Sequence, residues 1–321
     1  MSEFDLIEKY CTNLGTSHSD TVLSVGDDAA IINIPDGFQL VVSVDTMVEG
    51  THFLKGLAPE LIAHKLFAVN LSDMAAMGSR PKWATISSTL PRFDEDWSER
   101  YTSTLSKVAS MYGVEVVGGD TTEGPRSMSL TIMGLTPKGM AMTRSGAKVG
   151  DKVYCSGNLG DAALALTRLL GEQDLPDDIF SETLPALHTP QPQVTLGQRL
   201  LGLATSCIDL SDGLVGDAVH VANRSNVTIE IETNNVPLSD AYRRYVDSGG
   251  FLRYALAGGD DYQLLFTVPQ GNEDTIETIS KDLDVKITHI GCIAERGEDP
   301  VVTLEDGVPT PLQLKPFQHF L

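Results

Sequence analysis

Two hydrophobic periods alternate along this chain. Phe4, Ile7, Tyr10, Cys11 and Leu14 recur at helical spacing and predict an opening amphipathic helix over residues 4–14. "AAIINI" and "QLVVSVDT" read as strands joined by the turn "PDGF". "PELIAHKLFAVNLSDMAAMG" predicts a long helix, with Pro59 suited to its first turn and Gly78 to its end. "KWATISSTLP" is strand-like, "DEDWSERYTSTLSKVASMYG" is helical with an acidic first turn, and "VEVVGGD" and "SMSLTIMGLTP" return to strand. The Gly- and Lys-rich stretch from 137 to 153 reads as a domain connection. Beyond it, "KVYCSG" predicts a strand, "DAALALTRLL" a helix, and "GEQDLPDDIFSETLPALHTP" a polar, Pro-containing excursion. A helix around 191–203 leads into "CIDLSDGL", followed by the helix "VGDAVHVANRS", the strand "VTIEIE", and a Gly-Asp turn with a strand in "GGDDYQLLFTVP". The expectation is a mixed α/β chain of two domains, 1–148 and 149–321.

At 321 residues the chain has room for two cores. Its net charge of −21 argues against nucleic-acid binding, which needs Lys and Arg to neutralise phosphates. Anionic small substrates stay open, because bound metal ions reverse the local field. Cys11, Cys155, Cys207 and Cys292 form no CxxC pair, so neither a zinc framework nor a disulfide scaffold is expected, and the thiols suit a reducing cytoplasm. "MSEFDLIEKY" lacks a signal-peptide core, and no apolar run of ~18 residues predicts a membrane span.

Several chemistries are missing from the sequence. There is no GxxxxGK[ST] phosphate loop, no GxGxxG opening a helix, no HExxH, no GxSxG and no EF-hand spacing. What remains is a series of aspartates beside Gly or Ser at predicted strand ends and helix edges: Asp27, Asp28, Asp45, Asp73, Asp120, Asp209, Asp212, Asp260 and Asp261. Turn formation and helix capping explain some of them. Asp73 resists that explanation, since it falls among Ala and Met within a helical pattern. Ionised aspartates brought together repel unless cations intervene, and hard carboxylate oxygens suit Mg²⁺. "NLSDMA" and "DLSDGL" share Leu-Ser-Asp, a loose echo between the two halves.

In order along the chain, "GDDAAIINIP", "SVDTMVEGTHF", "AVNLSDMAAMGSRPKW", "GGDTTEGP", "MTRSGAKVGDKVYCSG", "IDLSDGL", "GGDDYQLLFTVP" and "FQHF" resemble the thiamine-monophosphate kinase family. The resemblance implies an aminoimidazole ribonucleotide synthetase-like fold. In it, N-terminal domains pair into a dimeric β-barrel, a C-terminal α/β domain packs beside each, and nucleotide binds in the cleft between domains. It implies transfer of the γ-phosphoryl group of ATP to thiamine monophosphate, with several Mg²⁺ ions, in a cytoplasmic homodimer that needs neither nucleic acid nor membrane.

By the same resemblance, Asp28, Ser43, Asp45, Asp73, Asp120, Asp209 and Asp212 are magnesium-facing. Val44 stands where relatives often carry Thr, so its ligand would be the backbone carbonyl. Gly119, Asp120, Arg144 and Ser211 match nucleotide contacts, Asp212 and Arg144 the catalytic positions, and His52 and Asp260 positions near the substrate phosphate. Phe317 stands for the terminal aromatic that lies against the substrate, without the usual preceding Gly. The implied reaction makes physical sense of the aspartates. Two anions meeting in line need their charge screened, and the acceptor phosphate, with a second pKa of about 6, needs no strong base.

Overall fold

The computed structural model describes residue 12 and residues 14–310. The predicted opening helix, apart from Thr12 and Leu14, and Phe317 lie outside the described residues. The chain forms two compact units, Met1–Met74 with Ser79–Ala141, and Ala75–Gly78 with Met142–Leu321.

The first unit holds a hairpin and a four-stranded sheet. The hairpin pairs β1 (Thr21–Leu23) with β2 (Ile31–Ile32). The sheet is built from β3 (Phe38–Val48), β4 (Arg80–Leu90), β5 (Glu115–Glu123) and β6 (Ser127–Pro137), in the order β3-β6-β4-β5. Only the β4–β5 pair is parallel. The expected hairpin across "PDGF" is not formed: β2 pairs backwards with β1, and β3 pairs with β6. The single chain thus carries an open sheet with β3 and β5 as its edges, not a closed barrel.

Helix α1 (Pro59–Ala76) begins at Pro59, whose missing N–H belongs to a first turn, and gives way to Gly78 at φ +64°. Its apolar residues run all round the helix. Ile62, Leu66, Phe67, Leu71 and Met74 are fully buried, as are the polar Asn70 and Ser72. Helix α2 (Glu95–Met111) is amphipathic, and the Asp94 carboxylate caps it by accepting the Trp97 N–H.

The second unit is a seven-stranded sheet with helices. Its strands are β7 (Lys152–Ser156), β8 (Ser206–Asp209), β9 (Thr228–Glu232), β10 (Leu264–Val268), β11 (Ile287–Ala294), β12 (Val301–Glu305) and β13 (Val308–Pro309), in the order β13-β12-β9-β11-β7-β10-β8. Only β12–β9 is parallel. The helices are α3 (Asp161–Leu169), α4 (Asp177–His188), α5 (Val194–Arg199), α6 (Leu214–Ser225), α7 (Asp240–Asp247), α8 (Arg253–Ala257) and α9 (Glu273–Leu283). Helix α4 corrects the expected irregular excursion. Asp177 and Asp178 sit in its first turn, and Ile179, Thr183 and Leu187 bury one face despite Pro185 inside it. Val153, Ile208, Leu214, Ile229, Tyr242 and Leu265 belong to this unit's core.

Candidate active site

In the first unit the site grows from the alternation of β3. Val41, Ser43, Asp45 and Met47 point to its sheltered face, while Val42, Val44 and Thr46 are exposed. Ser43 and Asp45 therefore meet α1. The Ser43 hydroxyl donates to Asp73 Oδ2 at 2.5 Å, and the Asp45 N–H donates to the Asn70 side-chain oxygen at 3.1 Å. Asn70 is itself oriented by donating to the Leu66 carbonyl one turn back. Burial, and then the charge of Asp73, push the Asp45 carboxyl up to about 6. This pair of acids is part-buried and mutually repelling, so a positive charge brought between them would be favoured.

The other predicted residues of this unit are more open. Asp28 lies in the exposed loop between β1 and β2, its N–H held by Asp27 Oδ1 at 2.8 Å. Val44 is 58% exposed on edge strand β3. Gly119 and Asp120 lie within β5. Gly119 is required there, because a Cβ would stand 2.1 Å from the Ile86 carbonyl oxygen of β4. His52 closes a tight turn after β3, where its Nδ1 accepts the Val48 N–H at 3.0 Å. The neutral ring must then carry its proton on Nε2 and act as a donor.

Sequence reasoning missed one feature of this unit. A largely apolar pocket of about 180 Å³ is lined by Ile86, Trp97, Tyr101, Val116, Gly119 and Asp120 among others. Trp97 and Tyr101 stack with centroids 4.8 Å apart, and the Arg126 guanidinium lies 5.0 Å from the Trp97 ring. The helical phasing of Trp97 and Tyr101 was visible, but their opposition to β5 requires the folded sheet.

In the second unit, β8 ends at the buried Asp209, and the chain turns through Ser211, Asp212 and Gly213 into α6. Gly213 adopts φ +101°, and a Cβ there would lie 2.7 Å from Ala257. One oxygen of Asp217, Oδ2, accepts the N–H groups of both Ser211 and Asp212 at 3.0 Å. Asp217 is 3% exposed. Burial pushes its carboxyl up to about 7, with the Asp212 charge adding to the rise and the two N–H bonds and Arg144 opposing it. Asp217 falls in the predicted helix "VGDAVHVANRS" and is not among the site residues expected from the sequence, although an acid in the apolar run "GLVGDAVHV" was the available signal.

The "GGDDY" loop closes against this turn. The Asp260 N–H donates to the Ser211 carbonyl at 3.0 Å, and the Tyr262 N–H to that of Leu210 at 2.8 Å. Tyr262 Oη donates to Asp260 Oδ1 at 2.9 Å. Arg144 is exposed on the "TRSGAK" segment. The Ser225 hydroxyl, at the end of α6, anchors that segment by donating to the Arg144 carbonyl and accepting the Gly146 and Ala147 N–H groups. The structure thus brings together Asp209, Ser211, Asp212 and Asp260, with Arg144 within electrostatic reach of Asp217.

Among the described residues, no three His, Cys, Asp or Glu side chains converge as a ready-made metal cluster. The carboxylates act in small sets within each unit. The donors are hard oxygens, the kind that suits Mg²⁺.

Residues 26–136 match the N-terminal domain of the AIR synthase related proteins, and residues 148–303 match the C-terminal domain. The chain is 42% identical over 319 residues to thiamine-monophosphate kinase of Escherichia coli (strain K12), across 99% of this chain and 98% of that protein. The crystal structure of thiamine-monophosphate kinase from Stenotrophomonas maltophilia K279a superposes with a TM-score of 0.86 at 38% identity, covering 97% of this chain and 98% of that one. A structure of AaThiL complexed with AMPPCP and TMP gives a TM-score of 0.77 at 32% identity, covering 99% and 96%. With both domains matched and close likeness along nearly its whole length, the chain belongs to the thiamine-monophosphate kinase family of AIR synthase related proteins.

Proposed function

We propose that this chain transfers the γ-phosphoryl group of ATP directly and in line to the phosphate of thiamine monophosphate, giving thiamine diphosphate and ADP. The observation that carries the reading is the pairing of the "DLSDGL" turn with the "GGDDY" loop. It gathers Asp209, Ser211, Asp212 and Asp260 around the amides fixed by Asp217. The similarity to AaThiL, solved with AMPPCP and TMP, supports the choice of substrates.

Bound Mg²⁺ ions would neutralise the facing phosphates, and Asp28, Ser43, Asp45, Asp73, Asp120, Asp209, Asp212 and the Val44 carbonyl would hold them. The desolvated Asp45–Asp73 pair fits that role. The side chains divide the remaining work. Arg144 offers its planar fork to phosphate oxygens. His52, fixed as an Nε2–H donor, binds the acceptor phosphate without taking a proton from it. The apolar pocket beside Gly119 receives the adenine ring between Trp97, Tyr101 and the sheet.

We further propose a homodimer closed through the edges of the first unit's sheet. Phe38, Leu40, Val42 and Val44 expose an apolar row on edge strand β3. The register Asp45–Leu130–Ile86–Gly119 crosses the whole sheet, so Asp45 and Asp120 lie on opposite edges. Three strand spacings separate them by about 14 Å. One Mg²⁺ ion, with metal–oxygen distances of about 2.1 Å, does not span that gap. A second copy, bringing its β5 to this β3, would place the strand that carries Asp120 next to the strand that carries Asp45.

The direct test is incubation of the purified protein with ATP, Mg²⁺ and thiamine monophosphate, with products identified by mass. Thiamine diphosphate and ADP are expected in equal amounts, and Asp212→Asn should abolish both while leaving the fold intact. A folded wild-type protein that makes neither product at millimolar Mg²⁺ refutes the reading.

A further inference from the structure

Asp261 lies at the heart of the "GGDDY" loop and has no role in the reaction proposed above. It is 7% exposed. Its Oδ1 accepts the Gly160 N–H at 2.8 Å, and its Oδ2 is buried without a hydrogen-bond partner. Gly160 is the residue that opens α3, and no side chain of its own caps that helix. Nor could a larger residue stand there. Gly160 has φ +86°, and a Cβ would lie 2.6 Å from the Ala255 nitrogen. Asp261 therefore supplies from the opposite loop the cap that α3 cannot supply itself.

The loop needs such an anchor. Asp260 and Tyr262, on either side of Asp261, both occupy the left-handed region, at φ +71° and +50°. Neither is glycine, and such conformations persist only where surrounding bonds over-determine them. The bond to Gly160 provides one of those constraints, at the residue between the two strained ones.

The charge state of Asp261 follows from its surroundings. The groups acting on it are Asp161, Asp260 and Asp217, all carboxylates, while Cys155 and Tyr242 feel its charge in turn. Burial is the largest influence and opposes ionisation, and only the Gly160 N–H favours it. The dipole of one helix end is worth a fraction of the cost of desolvating a carboxylate. An ionised Asp261 would also leave Oδ2 charged and unbonded. Of the nearby acids, Asp161 accepts from the Ser239 hydroxyl and feels Lys286, so cationic and hydrogen-bonding relief goes there instead.

We propose that Asp261 is a positioning residue, held as a neutral carboxylic acid, that pins the strained Asp260–Tyr262 turn to the start of α3 and so fixes the orientation of Asp260 toward the substrate. The role of Asp260 rests on the thiamine monophosphate reading; the protonation state of Asp261 does not. Asp261→Asn keeps the shape, the acceptor for Gly160 and the neutrality. Asp261→Leu keeps the branched shape, with bulkier methyl ends, and removes the acceptor.

Infrared difference spectra of wild type against Asp261→Asn at pH 7.5 test the protonation without any assay. A carboxylic-acid carbonyl band present only in wild type is expected; a carboxylate band in its place overturns the neutral acid. In kinetics, Asp261→Asn is expected to keep kcat and the KM for thiamine monophosphate within about threefold. Asp261→Leu is expected to raise that KM about tenfold or more while the KM for ATP moves little. An Asn variant as impaired as the Leu variant refutes the neutral-acid role. Wild-type kinetics in both variants refutes the positioning role. If wild type itself makes no product, the function proposed above falls, and the infrared band still decides the state of Asp261.

Discussion

Replacing Asp45 with Asn sets stability against function at one atom. Asp45 is raised from its usual 3.8 to about 6, by burial first and by the Asp73 charge second. An acid whose proton is bound more tightly in the folded than in the unfolded state withholds stability as it ionises. The wild type is thus unpenalised below about 3.8, loses stability as pH rises toward 6, and carries the full penalty above it. That shift corresponds to at most about 3 kcal/mol, less whatever solvent reaches the site. Asparagine removes the charge and keeps the size. Metal-free Asp45→Asn should therefore melt higher than wild type at pH 8 by about 3–9 °C, at roughly 3 °C per kcal/mol for a unit of this size. At pH 4 the two proteins should melt together. Both tryptophans, Trp83 and Trp97, lie in the first unit, so their fluorescence follows the unfolding of the unit that carries Asp45. The comparison is made in EDTA and repeated with Mg²⁺ and a non-hydrolysable ATP analogue. Ligand should stabilise the wild type strongly and the variant little, because the wild-type pair gains the cation it lacks. Activity should fall by two orders of magnitude or more, about the loss expected when an electrostatic contact to the transferring group is removed. A variant less stable than wild type in EDTA at pH 8, or a gain that persists undiminished at pH 4, would refute the reasoning.

Other outcomes follow from the same geometry. Asp217→Ala strips the acceptor from two part-buried amides, at about 1–3 kcal/mol for the donors left unsatisfied, and should lower kcat more than it raises either KM; unchanged kcat would remove the Ser211–Asp212 turn from the chemistry. Gly119→Ala drives a methyl against the Ile86 carbonyl oxygen, so a destabilisation of about 1–3 kcal/mol in denaturant melts and a raised KM for ATP are expected. Mixing the inactive Asp45→Asn and Asp120→Asn variants and re-annealing them should restore about a quarter of wild-type activity, because in the proposed dimer half the pairs would be mixed and each would hold one intact site. No recovery, with mixed dimers shown by mass, would place both acids in sites built from a single chain.

The sequence announced some of this fold and concealed the rest for physical reasons. β3, α1, β4, α2, β5 and β6 were legible because each has one period and one punctuation mark, such as Pro59 or Gly78 for α1. The partner of β3 was not legible. A "PDGF" turn invites a hairpin, but β3 runs alongside β6, whose paired residues are 79 to 99 positions away, and local sequence does not encode such pairing. Helix α4 was hidden by Pro185, which local rules count as a breaker even when Ile179, Thr183 and Leu187 keep a buried face. In the site, the "DLSDGL" turn was readable because its groups are contiguous. Asp217 was less so, since its role is to receive two backbone amides five and six residues earlier. The aromatic pocket was invisible because its walls come from α2 and two strands.

The shared Leu-Ser-Asp of the two halves does not mean shared geometry. Ser72 and Asp73 lie inside α1, where Asp73 is reached by the Ser43 hydroxyl from a neighbouring strand. Ser211 and Asp212 lie in a turn between strand and helix, where their amides, not their side chains, are what Asp217 holds. The two settings impose opposite constraints. In a helix the backbone groups are already paired, so Asp73 can act only through its carboxylate, which already accepts the Ser43 hydroxyl. In the turn the backbone is free to be shaped, and the carboxylate of Asp217 is used up in shaping it, which leaves Asp212 directed by its backbone. A substitution that preserves charge but changes reach separates the two cases. Asp73→Glu moves a carboxylate along an otherwise unaltered helix and should raise the Mg²⁺ concentration needed for activity without changing the fold. Asp217→Glu displaces the acceptor from both amides at once, and should impair kcat at every Mg²⁺ concentration. If added Mg²⁺ rescues Asp217→Glu as well as it rescues Asp73→Glu, the division of labour between charge and backbone is wrong.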